Sequence, residues 1–352
     1  MKIGIVTRYN GANMGAYLQA YALKKYLEGY GHSVSYIRIN NVKNNRVFFY
    51  RWFSKMWLKD AKYTINYIRF GKEKFNYFKN SWKEFTVADA KQKFDIVILG
   101  SDEIWNAGNS IFRNPLYYGV GVNAYKVISY AASIGNYKGS NLPNYVPEAI
   151  NRLGAVLVRD EATKEFAEKY TNKPVNIVCD PTLLYDFESQ TFPNCSDRYI
   201  YNNKYILIYA YNYSETEKNW IKTYAKEQQL KIVTVGFYQN WCDHCVNCEP
   251  LEFLSVIKNA EIIFTSSFHC GIFSIYLHKR MVIRPSGQKV RDFFKRIGGE
   301  AVLIKNEESY DRFKQIAESK LDFQEIFQNI YSFRMNSSQL LQNSLLSSGT
   351  YK

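Results

Sequence analysis

The chain has 352 residues, enough for two domains of ordinary size, and 46% of them are hydrophobic, which excludes a chain too polar to build a core. Its formal net charge of +14 attracts anions of every kind: nucleic acid, phospholipid headgroups and phosphorylated small molecules. No apolar run approaches bilayer length, Met1-Lys2-Ile3 enters a strand pattern without a leader peptide, and six cysteines in so long a chain do not form a secreted disulfide framework, so a cytoplasmic protein with reduced thiols is expected.

Lys2–Thr7 (KIGIVT) reads as a short apolar strand. The loop Arg8–Gly15 is rich in Gly and Asn, which tolerate positive φ, and leads into a helix over residues 16–31. Ser33–Ile39 alternates as a second strand, completing a right-handed βαβ pattern. The glycine loop carries neither the dinucleotide fingerprint nor a phosphate-loop Gly-Lys-Ser, and its glycines equally suit a tight turn. Residues 40–93 change character. Arg46, Arg51, Lys55 and Lys59 alternate there with Phe49, Trp52, Phe53, Met56 and Trp57. That mixture suits an interfacial membrane helix, stacking on single-stranded nucleic acid, or an amphipathic helix pair packed on a sheet.

Phe94–Gly100 returns to a continuous hydrophobic strand, and Ser101–Asn106 (SDEIWN) follows at its carboxyl end. Ser101 and Asp102 are candidate site residues there, with Trp105 as a wall. Tyr125–Gly135 is a further strand ending in small residues. Val156–Phe166 reads as strand, turn and helix, with Arg159 at the turn. Its guanidinium can grip a carboxylate or phosphate at two points, or pair locally with Asp160 or Glu161. Asp180-Pro181-Thr182 is a turn or helix start closing the first half.

The polar stretch Tyr185–Asn203 is the expected linker. Beyond it come a strand Lys204–Tyr211, a helix Glu215–Gln229, a strand Lys231–Phe237 and a helix Leu251–Ala260. Ile262–Phe264 is then a buried strand, Thr265-Ser266-Ser267 a polar break, Ile272–Leu277 a helical run and Met281–Ile283 another strand. A loop at a parallel strand's carboxyl end and a helix N-terminus is where α/β folds bind ligands and anions. His269 lies in that loop, where it can hold or move a proton near neutral pH, or simply pack. Cys242, Cys245 and Cys248, with His244 among them, have metal-ligand spacing but no obvious fourth ligand, so no metal is expected. The two series of β/α units predict an α/β chain of two Rossmann-like domains facing a cleft. Residues 1–190, with the insertion 40–93, would form the first, 200–310 the second, and 311–352 helices packing back on the body.

The segments Asn13–Leu27, Phe94–Asn106, Ser129–Gly135, Val158–Phe166, Cys179–Leu184 and Glu249–Ile283, in that order, resemble the polysaccharide pyruvyl transferase family. The tail Ser332–Leu341, with Arg334 and Ser337, is similar to the family's closing helix. One departure is Cys270, which stands where relatives usually have the glycine that follows the histidine; here Gly271 comes one residue later. The resemblance implies a fold similar to glycosyltransferase type B. It implies transfer of pyruvate from phosphoenolpyruvate, as co-substrate and without a further cofactor, to a sugar diol of a bacterial surface polysaccharide or its lipid-linked precursor. The products would be a cyclic ketal and phosphate. Carried over by residue, it implies His269 in donor binding and proton transfer, Arg159 on the donor's phosphate or carboxylate, and Ser266 and Ser267 on phosphate. Some relatives carry a basic residue near that loop; Arg284 or Arg291 would replace it here. Asn13, Gly15, Ser101 and Asp102 would meet the acceptor, with Asp102 or Glu103 as base. The expected partners are a glycan or lipid-linked oligosaccharide and, through Arg46–Lys59, peripheral contact with an anionic membrane at its inner face; nucleic acid is not expected. The alternatives are another sugar-modifying transferase, such as a glycosyltransferase, on the same fold, or a basic membrane- or nucleic-acid-binding protein.

Overall fold

The computed structural model describes residues 1–39, 61–139, 141–210, 212–305 and 308–346, with backbone alone for Ala61 and Gln288. The aromatic and basic run Arg46–Lys59 therefore lies outside the described residues. The chain divides into two compact units, one of residues 1–50, 83–185 and 330–352, the other of residues 51–82 and 186–329.

The first unit is built on seven strands: β1 (Lys2–Val6), β2 (Ser33–Ile37), β3 (Val87–Ala88), β4 (Phe94–Leu99), β5 (Ala124–Ala132), β6 (Ala155–Val158) and β7 (Val175–Ile177). They lie in the order β3-β2-β1-β4-β5-β6-β7, every pairing parallel. Parallel sheets are covered on both faces, so their strands read as unbroken apolar runs. FDIVIL in β4 and AYKVISYAA in β5 show this, with buried side chains on successive residues. The chain works outward from β1 to β3, returns to β4, and works outward again. Strand order thus reverses between β1 and β4, which makes the loops after those strands the ligand-binding position of such a sheet. Trp105, expected as a wall, is instead a core residue. It is fully buried, stacks on Tyr118 and donates its indole N–H to the Tyr117 carbonyl at 3.0 Å.

The second unit holds β8 (Tyr205–Tyr209), β9 (Lys231–Val235), β10 (His244–Val246), β11 (Ile262–Thr265) and β12 (Arg280–Ile283). Their order is β10-β9-β8-β11-β12, again all parallel, with the reversal between β8 and β11. The cysteine-rich run is thus partly an edge strand, whose alternation turns Cys245 away from the face shared by His244 and Val246. His244 pairs with Asp197 at 2.7 Å and stacks on Tyr199. Among the described residues no group of three or more His, Cys, Asp or Glu gathers as a metal site.

The helix Ala61–Ser81 belongs to the second unit, although its sequence interrupts the first. Its Tyr63, Tyr67 and Phe70 rings surround Tyr238, and Asn247 donates to the Phe70 carbonyl and to Glu73, each at 3.0 Å. The helix Phe323–Leu346 passes from the second unit into the first at Asn329–Ile330. In the first unit Ser337 accepts the Cys179 N–H at 2.9 Å, and the Ser344 carbonyl accepts the Lys126 ammonium at 2.6 Å. Among the described residues no helix is long and apolar enough to cross a membrane.

The helix Phe268–Tyr276 approaches the β12 side at Gly271, where an added Cβ would come to 3.0 Å from both Ile283 Cδ1 and Phe294 Cζ. Gly271→Ala is expected to destabilise the second unit by about 1–3 kcal/mol through overpacking. An unchanged urea midpoint would mean that these side chains give way without cost.

Candidate active site

In the first unit the candidates gather at the carboxyl ends of β4, β6 and β7. Gly100 closes β4 at φ 128, and a Cβ there would meet the Tyr130 carbonyl oxygen at 2.1 Å, so only glycine fits. The next two residues turn into the site. Ser101 is fully buried, accepts the Asp102 N–H at 2.6 Å and donates to Asp180 at 3.4 Å. Asp102 holds φ 82, sparsely populated for a side-chain-bearing residue. Arg159 follows β6, and its buried guanidinium reaches Asp180 at 3.3 Å and Asp102 at 3.7 Å. Burial opposes its charge, but the carboxylates of Asp180, Asp102, Asp160 and Glu103 outweigh that and raise its pKa.

The local alternatives for Arg159, Asp160 and Glu161, are not its ion-pair partners. Asp160 caps the helix Glu161–Glu168, accepting from Thr163, and takes the Ser133 hydroxyl at 2.6 Å. Asp180, 1% exposed, accepts the N–H and hydroxyl of Thr182 on its other oxygen. Sequence reasoning missed Asp180 as the organiser of this cluster. An Asp directly before a proline at a helix start is a cap signature that could have drawn attention to it. Asn13 caps the helix Met14–Gly29, accepting the Ala16 N–H at 3.0 Å, and Gly15 lies inside that helix's first turn rather than in a loop. The structure therefore brings Ser101, Asp102 and Arg159 together, while Asn13 and Gly15 sit at the helix after β1.

In the second unit, Thr265 ends β11 and ties the loop down. It donates to the Tyr209 carbonyl of neighbouring β8 at 2.6 Å and accepts the Ser267 N–H at 3.0 Å. Ser267 caps the helix Phe268–Tyr276, so His269 stands in its first turn, half-buried, its ring against Phe268. Cys270 is fully buried, and burial pushes its thiol up to about 12, so it stays a neutral thiol at working pH. No acidic residue occupies this helix's first turn. The helix Glu215–Glu227 after β8 contrasts with it, because its own Glu217 fills the positive end through a capping box with Ser214. Arg284 is held by that same Glu217 at 2.6 Å and by the Asn212 carbonyl, with its guanidinium over Tyr213. Arg291 lies on the helix Gln288–Arg296, whose Phe293 ring packs on Phe268 at 4.9 Å. Ser266, Ser267 and His269 are thus brought together, and Arg284 is engaged on the loop after β8.

Comparison with known proteins adds to this geometry. The chain is similar in structure to a putative UDP-N-acetylglucosamine 2-epimerase from Listeria monocytogenes (TM-score 0.55, 11% identity, 97% of this chain and 95% of that one). It is also similar to the UDP-GlcNAc 2-epimerase from Methanocaldococcus jannaschii (TM-score 0.52, 13% identity, 97% and 100%) and to Arabidopsis thaliana UGT89C1 complexed with UDP (TM-score 0.52, 10% identity, 98% and 100%). These likenesses show the fold, two Rossmann-like domains of glycosyltransferase type B. No curated protein sequence matches the chain. The family model described as polysaccharide pyruvyl transferase matches residues 13–284, a span that runs from the Asn13 cap to Arg284 and takes in both clusters. Because that match covers most of the sequence, the chain belongs to the polysaccharide pyruvyl transferase family.

Proposed function

We propose that the protein transfers pyruvate from phosphoenolpyruvate to a sugar diol of a polysaccharide, or of its lipid-linked precursor, forming a cyclic ketal and releasing phosphate. Family membership supports the reaction class. The observation that carries the donor assignment is the first turn of the helix Phe268–Tyr276. It stands at the strand-order reversal of its sheet, holds His269 and has no acidic residue in its own first turn, whereas Glu217, Asp160 and Asp180 occupy the N-terminal ends of their own helices. A phosphate or carboxylate is favoured at such an end.

The chemistry balances as follows. The methylene carbon of the donor takes a proton, and its central carbon, now oxocarbenium-like, is attacked by the first sugar hydroxyl. The second hydroxyl attacks as phosphate leaves with its bonding electrons. The two hydroxyl protons lost are matched by one gained at carbon and one left on phosphate. His269 is the group assigned to donor binding and proton transfer, with Ser266 and Ser267 donating to phosphate. Asp102 is the assigned base, and Ser101, Asn13 and Gly15 are assigned to the acceptor. Arg159 is assigned to an anionic group of the donor. Its contact to Asp102, at 3.7 Å, is longer than that to Asp180, at 3.3 Å, so an incoming carboxylate displaces Asp102 more readily than Asp180. Arg284 is a weaker donor candidate, because Glu217 already opposes its charge.

Purified protein incubated with phosphoenolpyruvate and a panel of glycans is expected to release phosphate only with a suitable acceptor, and to leave a ketal methyl signal in the product's NMR spectrum. Turnover of a UDP-sugar, with phosphoenolpyruvate untouched, would overturn the reading.

A further inference from the structure

Between β1 and β4 the backbone ladder runs on to the Gly100 N–H, which donates to the Val6 carbonyl at 2.9 Å. The next link is made by a side chain. The Thr7 hydroxyl donates to the Ser101 carbonyl at 2.8 Å and accepts an amide N–H of Gln19 at 3.2 Å. Gln19 lies on the helix Met14–Gly29, and its amide nitrogen also donates to the Ala16 carbonyl at 2.9 Å, which fixes the orientation of the group. With its lone pair engaged by Gln19, the Thr7 hydroxyl directs its proton at Ser101. Thr7, Gln19 and Ser101 are all buried, so water does not compete for these bonds.

The link falls on the peptide that leads into Asp102. Thr7 holds that peptide's carbonyl, and the Ser101 hydroxyl accepts its N–H at 2.6 Å. The Asp102 carbonyl in turn accepts the Ser133 N–H, from the end of β5, at 3.0 Å. Asp102 sits at φ 82, a conformation that a residue with a side chain keeps only where its surroundings over-determine it. These bonds do that, and the one from Thr7 ties the turn to the neighbouring strand. We infer that Thr7, oriented by Gln19, is a positioning residue: its hydroxyl fixes the Ser101–Asp102 peptide and so holds the Asp102 carboxylate in place as a base. The inference rests on the assignment of Asp102 as that base.

The test compares Thr7→Val, which keeps the shape and removes the hydroxyl, with Thr7→Ser, which keeps the hydroxyl. In Thr7→Val, kcat with phosphoenolpyruvate and a glycan acceptor is expected to fall roughly ten- to hundredfold, the scale of a misplacement of about 1 Å, with KM for phosphoenolpyruvate near normal. Thr7→Ser should recover most of the loss. Gln19→Met, which lets the Thr7 hydroxyl turn, should lower kcat severalfold and is the milder variant should Thr7→Val fold poorly. Because Thr7 acts through Asp102, Thr7→Val should cost little more in an Asp102→Asn background, whereas a general structural defect would add in full. Deuterium exchange of the full chain needs no turnover: residues 101–106 should exchange faster in Thr7→Val than in the wild type or Thr7→Ser. If Asp102→Asn turns over at the wild-type rate, the base assignment fails and takes the inference with it. If Asp102→Asn is impaired while Thr7→Val turns over normally, or exchanges residues 101–106 as the wild type does, the inference alone is overturned.

Discussion

His269→Ala is expected to lower the turnover of phosphoenolpyruvate by roughly a hundredfold or more, the usual contribution of a positioned acid–base group. The side chain stands in a helix's first turn and is not part of the buried core, so the melting transition should stay within about a degree or two, as for surface changes that cost little stability. His269→Gln separates the two tasks assigned to the residue. It retains hydrogen-bonding capacity for donor binding but has no imidazole to take up and release a proton. KM near normal with kcat still low would place the loss in proton transfer. Near-normal kcat in His269→Ala, with the fold intact, would remove the residue from the mechanism.

Arg159→Ala is expected to fail in a different way. Removing the guanidinium leaves Asp180, which is 1% exposed, without its cation, and breaking a buried pair from one side typically costs about 3–5 kcal/mol. The first unit should therefore unfold at clearly lower urea, and lost activity would not by itself assign Arg159 to the donor. Arg159→Met combined with Asp180→Asn is the informative partner, since it removes both charges and should recover part of the stability. Unfolding of Arg159→Ala at the wild-type urea concentration would show that the pair is dispensable.

The contrast between these two residues marks what a sequence can disclose. The central strands were legible because a parallel sheet covered on both faces leaves unbroken apolar runs, as in Phe94–Leu99, where Gly100 and Ser101 follow, and in Tyr205–Tyr209. His269 was legible as a residue near a helix N-terminus, but the sequence pattern puts it in the loop and starts the helical run at Ile272, whereas the Ser267 cap starts the helix at Phe268. The partner of Arg159 was not, because Asp180 comes from the next strand's end and local reading offers Asp160 and Glu161 first. For the same reason the helix Ala61–Ser81 was read as an insertion into the first domain, although its aromatic face meets Tyr238 and Asn247 far along the chain. Periodicity gives a helix its apolar stripe but does not name the surface that receives it. Arg284 looked available because its capped carboxylate partner, Glu217, lies 67 positions away.

The passage of the helix Phe323–Leu346 into the first unit bears on the order of synthesis. Residues 1–185 leave the ribosome with their seven strands, but the hydroxyl that receives the Cys179 N–H and the carbonyl that receives the Lys126 ammonium belong to Ser337 and Ser344. Residues 186–329, all of the second unit but its segment 51–82, are translated in between. The nascent first unit must therefore wait with those backbone and side-chain donors facing water, or a chaperone, until the second unit has been made. Its final closure is a late event in the life of the chain, whatever its own strands do first.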